Sequence, residues 1–176
     1  MNDITLEEEN LRFDFMGFNT AVKFDDKNAN LHGLLPVDFV AENADSLYFI
    51  EVKDYQNPHP EAVKRRDEDR SMLLGVTTKK VNEEESLYCH KIGSKLKDSI
   101  LRKYVTGEIL RGFNKRIVYL FFVNFDILGA VERGKLKERI SNHIPGSRRG
   151  LFPDMLFDLV DIAKLKEHGI ICTAKQ

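Results

Sequence analysis

Cysteine is scarce, and the two that occur, Cys89 and Cys172, lie far apart without metal-ligand spacing. That argues against a disulfide framework or a zinc site. The five histidines, His32, His59, His90, His143 and His168, form no H-x-x-x-H pair and read as surface or structural residues. A G-x-x-x-x-G-K-S/T loop is missing, and with it any machinery for ATP-driven chemistry. Charge of one sign is missing too. The 27 basic and 28 acidic residues leave a formal net charge of −1, so a nucleic-acid contact has to come from a local patch. The longest apolar run, IVYLFFV at 117–123, is far too short to span a bilayer. The opening MNDITLEEEN has neither a basic start nor an apolar core. These absences create the expectation of a cytoplasmic protein that engages no membrane.

What is present is a chain of 176 residues with 42% hydrophobic content, enough for one well-cored domain over 1–176. Residues 5–12 are ambiguous. Thr5 and Glu8 have the spacing of a helix capping box, whereas LRFDF just after alternates like a strand. TAVKFDD at 20–26, PVDFVA at 36–41 and LYFIEVKDY at 47–55 read as strands, the first two separated by the polar tract KNANLHG. Residues 57–90 read as an insertion, in which NPHP stops the strand, EAVKRRDEDRSMLLG permits a helix and TTKKVNEEESL resembles an exposed loop.

From Lys91 the helical period returns through Ile92, Leu96, Ile100 and Tyr104, and RGFNK closes the helix at Gly112. RIVYLFFVNF at 116–125 is apolar on both faces, as a central strand covered on both sides should be. Residues 134–144 predict a helix ended by Pro145 and Gly146, and MLFDLVDI and AKLKEHG predict a strand then a helix. The order implies an α/β fold with a mixed central β-sheet flanked by helices.

The stretch PVDFVAENADSLYFIEVKDY at 36–55 carries the chemistry. A turn between Ala44 and Asp45 pairs residues whose numbers sum to 89, which sets Asp38 opposite Glu51. Alternation then puts Val40, Phe49, Glu51 and Lys53 on the face of Asp38, and Val37, Phe39, Tyr48, Ile50 and Val52 on the other. Two facing carboxylates repel unless a proton or cation intervenes, and one lysine cannot neutralise two acids. A divalent ion can, and Mg²⁺ is commonly held by one or two carboxylates with water and phosphate oxygens completing its shell. The plain alternative is a solvated polar face of an antiparallel sheet.

PVD at 36–38 followed by EVK at 51–53 resembles the PD-(D/E)XK, or restriction-endonuclease-like, nuclease superfamily. The order of elements is similar over about 1–125, leaving 126–176 as a C-terminal elaboration. The resemblance implies a restriction-endonuclease-like core and a Mg²⁺- or Mn²⁺-dependent nuclease that hydrolyses phosphodiesters with metal-activated water. It implies Asp38 and Glu51 as metal ligands, the Val52 carbonyl as a further ligand, and Lys53 as the catalytic lysine. An extra acid on the first helix, usual in that superfamily, is open here among Glu7, Glu8 and Glu9. DDK at 25–27 matches D-x-K but sits at a polar strand end with no acid correctly placed before it, and reads as a decoy. The implied partner is nucleic acid, DNA ahead of RNA, and cleavage of both strands of a duplex favours a homodimer. Lys91, Lys95 and Lys97 are candidate phosphate contacts, against the simpler role of a solvated helix face. KRR at 64–66 and SRRG at 147–150 are further basic tracts. The competing reading is a non-catalytic nucleic-acid- or protein-binding module of the same fold.

Overall fold

The computed structural model describes residues 4–25, 33–56, 63–76, 83–106, 115–126, 128–144 and 154–175. NPHP, SRRG, His32, His59 and most of KNANLHG lie outside the described residues. The elements, in order, are β1 (Ile4–Glu8), β2 (Leu11–Phe15), β3 (Thr20–Lys23), β4 (Phe39–Glu42), β5 (Ser46–Asp54), α1 (Val63–Val76), α2 (Glu83–Val105), β6 (Arg116–Asn124), α3 (Ala130–Ser141), β7 (Leu156–Val160), α4 (Ile162–Glu167) and β8 (Ile170–Ala174).

A mixed five-stranded sheet runs in the order β3-β4-β5-β6-β7. Its first three strands are antiparallel and β5-β6-β7 are parallel. The parallel strands are buried on both faces, which is why RIVYLFFVN reads as an unbroken apolar run. One face carries Phe49, Tyr119 and Phe121 against Leu73 of α1, Ile92 and Leu96 of α2, and Leu136 and Ile140 of α3. The opposite face, with Phe39, Ile50, Val52 and Phe122, meets a second sheet and Leu165 of α4. That second sheet, β1-β2-β8, is antiparallel, so helices flank only one face fully. The expected helical ending is extended by a strand, β8, which pairs with β2 at the other end of the chain.

The ambiguity at residues 5–12 resolves as a hairpin, because burying alternate Leu11, Phe13 and Phe15 under the large sheet outweighs a helix cap. Thr5 caps no helix; its hydroxyl donates to Asp14 Oδ1 at 2.6 Å across the strand pair. Glu9 takes a φ of 52° in the connecting turn, in the left-handed region that few L residues adopt. The central helix starts at Glu83, earlier than Lys91, so part of the expected exposed loop TTKKVNEEESL is helical. Tyr104, expected in its apolar line, is exposed. Cys89 and Cys172 are buried and unbridged. Among the described residues no helix is long and apolar enough to cross a membrane.

Close packing between α2 and the end of α3 depends on Gly93. A Cβ there would lie 2.8 Å from the backbone carbonyl carbon of His143. Forcing a methyl into such a gap costs about 1–3 kcal/mol, against the ~1 kcal/mol that alanine gains over glycine as a helix former. Gly93→Ala is therefore expected to be a net loss, seen as a lower denaturation midpoint with an unchanged slope in urea.

Candidate functional site

The β4–β5 hairpin has the register read from the sequence, from Phe39 opposite Ile50 to Glu42 opposite Leu47. Asn43 fixes the turn, its Oδ1 accepting from the backbone N–H groups of Asp45 at 3.1 Å and Ser46 at 2.8 Å. Asp38 itself lies just before β4, in a bend. The bend breaks the alternation, so Val37 packs with Val40 and Phe49 on the helix side rather than with Phe39 as the pattern expects. The carboxylate of Asp38 takes over where strand pairing stops: its Oδ2 accepts from the Val52 N–H at 2.5 Å.

Helix α2 holds this bend in place through side chains whose role the helical period does not reveal. Asp98 Oδ2 accepts from the Leu35 N–H at 3.1 Å, and Ser99 Oγ accepts from the Val37 N–H at 2.9 Å. The Arg102 guanidinium donates to the carbonyl of Phe24 and stacks over its ring. These bonds bring the end of β3, the approach to β4 and the middle of α2 to one place.

Glu51 is fully buried and its two oxygens are both taken. Lys53 Nζ donates to Oε1 at 2.5 Å and Lys95 Nζ to Oε2 at 2.6 Å. Lys53 also donates to the Val52 carbonyl at 3.1 Å, the atom expected to face a metal. Burial opposes ionisation of Glu51, yet the two ammonium groups outweigh it and hold the carboxyl below its usual range. Burial likewise disfavours charge on Lys53, but Glu51 and Asp38 reverse that effect, so the lysine stays protonated at neutral pH.

The cation shortage inferred from the sequence therefore sits beside Glu51 rather than on it. Carboxylate oxygens of Glu8, Asp25 and Asp38 lie within 4.8 Å of one another. Burial, and then the charge of Glu51, pushes Asp38 up to about 8. Burial and the Glu8 charge also raise Asp25, whose Oδ1 is buried without a hydrogen-bond partner among the described residues. Lys23 answers part of this at 2.7 Å from Glu8. Among the described residues, four carboxyl groups (Glu8, Asp25, Asp38, Glu51) thus face three ammonium groups (Lys23, Lys53, Lys95), and Asp38 makes up the difference by holding its proton.

Of Glu7, Glu8 and Glu9, Glu8 is the one whose carboxylate groups with Asp25 and Asp38, and it comes from strand β1 rather than from a helix. Period-two alternation could have found it, because Ile4, Leu6 and Glu8 share the more buried face of β1. Asp25, set aside in the decoy DDK, is a member of the cluster; only the path of the chain after β3 puts it there. Of the three candidate phosphate-binding lysines, Lys95 joins the site. Lys91 is exposed, and Lys97 points to solvent beside Asp98 at 3.5 Å. Comparison with protein-family models, curated proteins and solved structures finds no match to this chain.

Proposed function

We propose that the protein is a Mg²⁺- or Mn²⁺-dependent nuclease with a restriction-endonuclease-like core, acting on DNA or RNA phosphodiesters. The observation that carries this reading is the convergence of Asp38, Glu51 and Lys53 at the end of the β4–β5 pair, with Glu8 and Asp25 adding carboxylates next to Asp38. Strands β3 to β5, helix α2 and then β6 follow the order that the superfamily resemblance implies, with strands β1 and β2 where its first helix is expected.

The donor set suits a hard divalent cation. Oxygens bound to Mg²⁺ at about 2.1 Å sit roughly 3–4.2 Å apart, so small rotations of Glu8, Asp25 and Asp38 bring them into range. The orphaned Asp25 Oδ1 and the elevated Asp38 both mark a place where positive charge is missing. A bound ion would supply a water of lowered pKa and screen the phosphate. Lys53, held protonated between Glu51 and Asp38, acts as an electrostatic group rather than a base, stabilising negative charge that develops on the phosphoryl oxygens. Glu51 keeps that ammonium in position.

The test is divalent-dependent cleavage of single- and double-stranded DNA and RNA by wild type, Asp38→Asn and Lys53→Ala. Loss of cleavage in both variants is expected, and equal activity in all three proteins ends the assignment. A second reading, a non-catalytic nucleic-acid-binding module, draws on the closure of both Glu51 oxygens by lysines. Its signature is metal-independent association that weakens steeply with salt and gives no turnover.

A further inference from the structure

Lys95 stands apart from the lysine that the sequence motif supplies. It lies on α2, 44 positions from Glu51 in the chain, yet its ammonium donates to Glu51 Oε2 at 2.6 Å with only 12% of the side chain exposed. A solvated helix-face lysine would keep its head group in water. Ser99, one turn on, donates its hydroxyl to the Lys95 carbonyl while accepting from the Val37 N–H, so the helix turn that carries Lys95 is tied to the bend that carries Asp38. The Lys95 charge also reaches Asp38 and Asp25. Its ammonium therefore occupies the Glu51 oxygen that Lys53 leaves, beside the acidic cluster.

Resting on the nuclease reading, we infer that Lys95 is an internal cation that competes with the divalent ion for Glu51. Before a divalent ion binds, it closes Glu51 Oε2. It gives up that oxygen when a divalent ion enters, and its freed ammonium then stands beside the site as a second positive group for the phosphodiester. The physical basis is charge: two ammonium groups satisfy one carboxylate in excess, so Lys95 is the cation the cluster can release once a doubly charged ion makes up its deficit. Lys53 is not equivalent, because it is also anchored by the Val52 carbonyl.

The experiment is Mn²⁺ calorimetry on wild type, Lys95→Met, Lys95→Arg and the pair Lys95→Met/Glu51→Gln. Lys95→Met is expected to bind Mn²⁺ about tenfold more tightly, since a repelling charge is gone from its border. Lys95→Arg should stay near wild type, and Glu51→Gln in the pair should cancel the gain. A purely structural lysine predicts weaker or unchanged binding in Lys95→Met, and that result overturns the inference. Acylation of wild-type lysines, read by mass spectrometry with and without Mg²⁺, is independent of whether any variant folds. Lys95 should label several-fold faster with Mg²⁺, and an unchanged rate overturns competition. Wild type that binds and cleaves while Lys95→Met gains nothing sinks this inference alone; wild type that binds no Mn²⁺ sinks the nuclease reading with it.

Discussion

Glu51→Ala is expected to lower stability by about 3–5 kcal/mol, the cost of leaving buried charge without its partner. The two lysine side chains that meet Glu51 are only 10% and 12% exposed, so water replaces the lost carboxylate poorly. Reversible urea denaturation at pH 7 measures the loss. The diagnostic comparison is the triple variant Glu51→Met, Lys53→Met, Lys95→Met. Replacing a whole buried ionic group by apolar side chains of similar length is often neutral or better, so the triple variant should recover most of the loss. A triple variant as unstable as Glu51→Ala would assign the effect to packing instead of charge. The sign with pH follows from the depressed carboxyl. The Glu51 contribution is present above the unfolded-state value of about 4.5 and disappears as pH falls through the lower folded value. The gap between wild type and Glu51→Ala should accordingly narrow in acid.

Asp38→Asn should act in opposite directions on stability and activity. The folded protein keeps the Asp38 proton until about pH 8, whereas the unfolded chain releases it near 3.8. Between those values the folded state binds more proton, so stability falls as pH rises, and the full penalty is reached above pH 8. Asn removes the penalty while its carbonyl can still accept from the Val52 N–H. In chelator at pH 8.5 the variant should be more stable than wild type by on the order of 2–5 kcal/mol, with the two proteins converging below about pH 4. His143 and His168 are both lowered by burial and work the other way, adding stability as pH rises through about 6.5. Their effect cancels in the difference between variant and wild type. Mg²⁺ should then raise the melting temperature of wild type at pH 8 and leave Asp38→Asn unmoved. Cleavage should drop by roughly a thousandfold, the size of several kcal/mol of lost transition-state stabilisation. A variant no more stable than wild type at pH 8.5 would remove the idea that Asp38 sits in a site short of positive charge.

The two outcomes separate two electrostatic roles that look alike in sequence. Glu51 is a carboxylate already paid in full by lysines, while Asp38 is one held in an acidic neighbourhood without enough of them. A motif of two acids and a lysine gives no sign of this division, because it contains neither Lys95 nor Lys23, and neither Glu8 nor Asp25.

The hairpin was legible because its rules are local. Strand alternation and a turn anchored by Asn43 are enough to set Phe39 against Ile50 and to bring Glu51 and Lys53 to the face of Phe49. The doubly buried β6 and the helix through Leu96 were legible for the same reason: period and apolar content are properties of neighbouring residues. The bend at Asp38, which sends Val37 to the unexpected face, was not, since bonds from Asp98 and Ser99 on a distant helix hold it. Nor was the second sheet, whose β2 and β8 come from opposite ends of the chain and meet as an antiparallel pair that buries Phe13, Phe15, Ile170 and Cys172. By itself the sequence determined the strands β3 to β6, the helix through Leu96 and that Glu51 and Lys53 share a face, because backbone geometry repeats over two or four residues. Tertiary structure alone decided that Lys95 closes Glu51 and that Glu8 and Asp25 crowd Asp38, because charge density depends on which distant segments pack together.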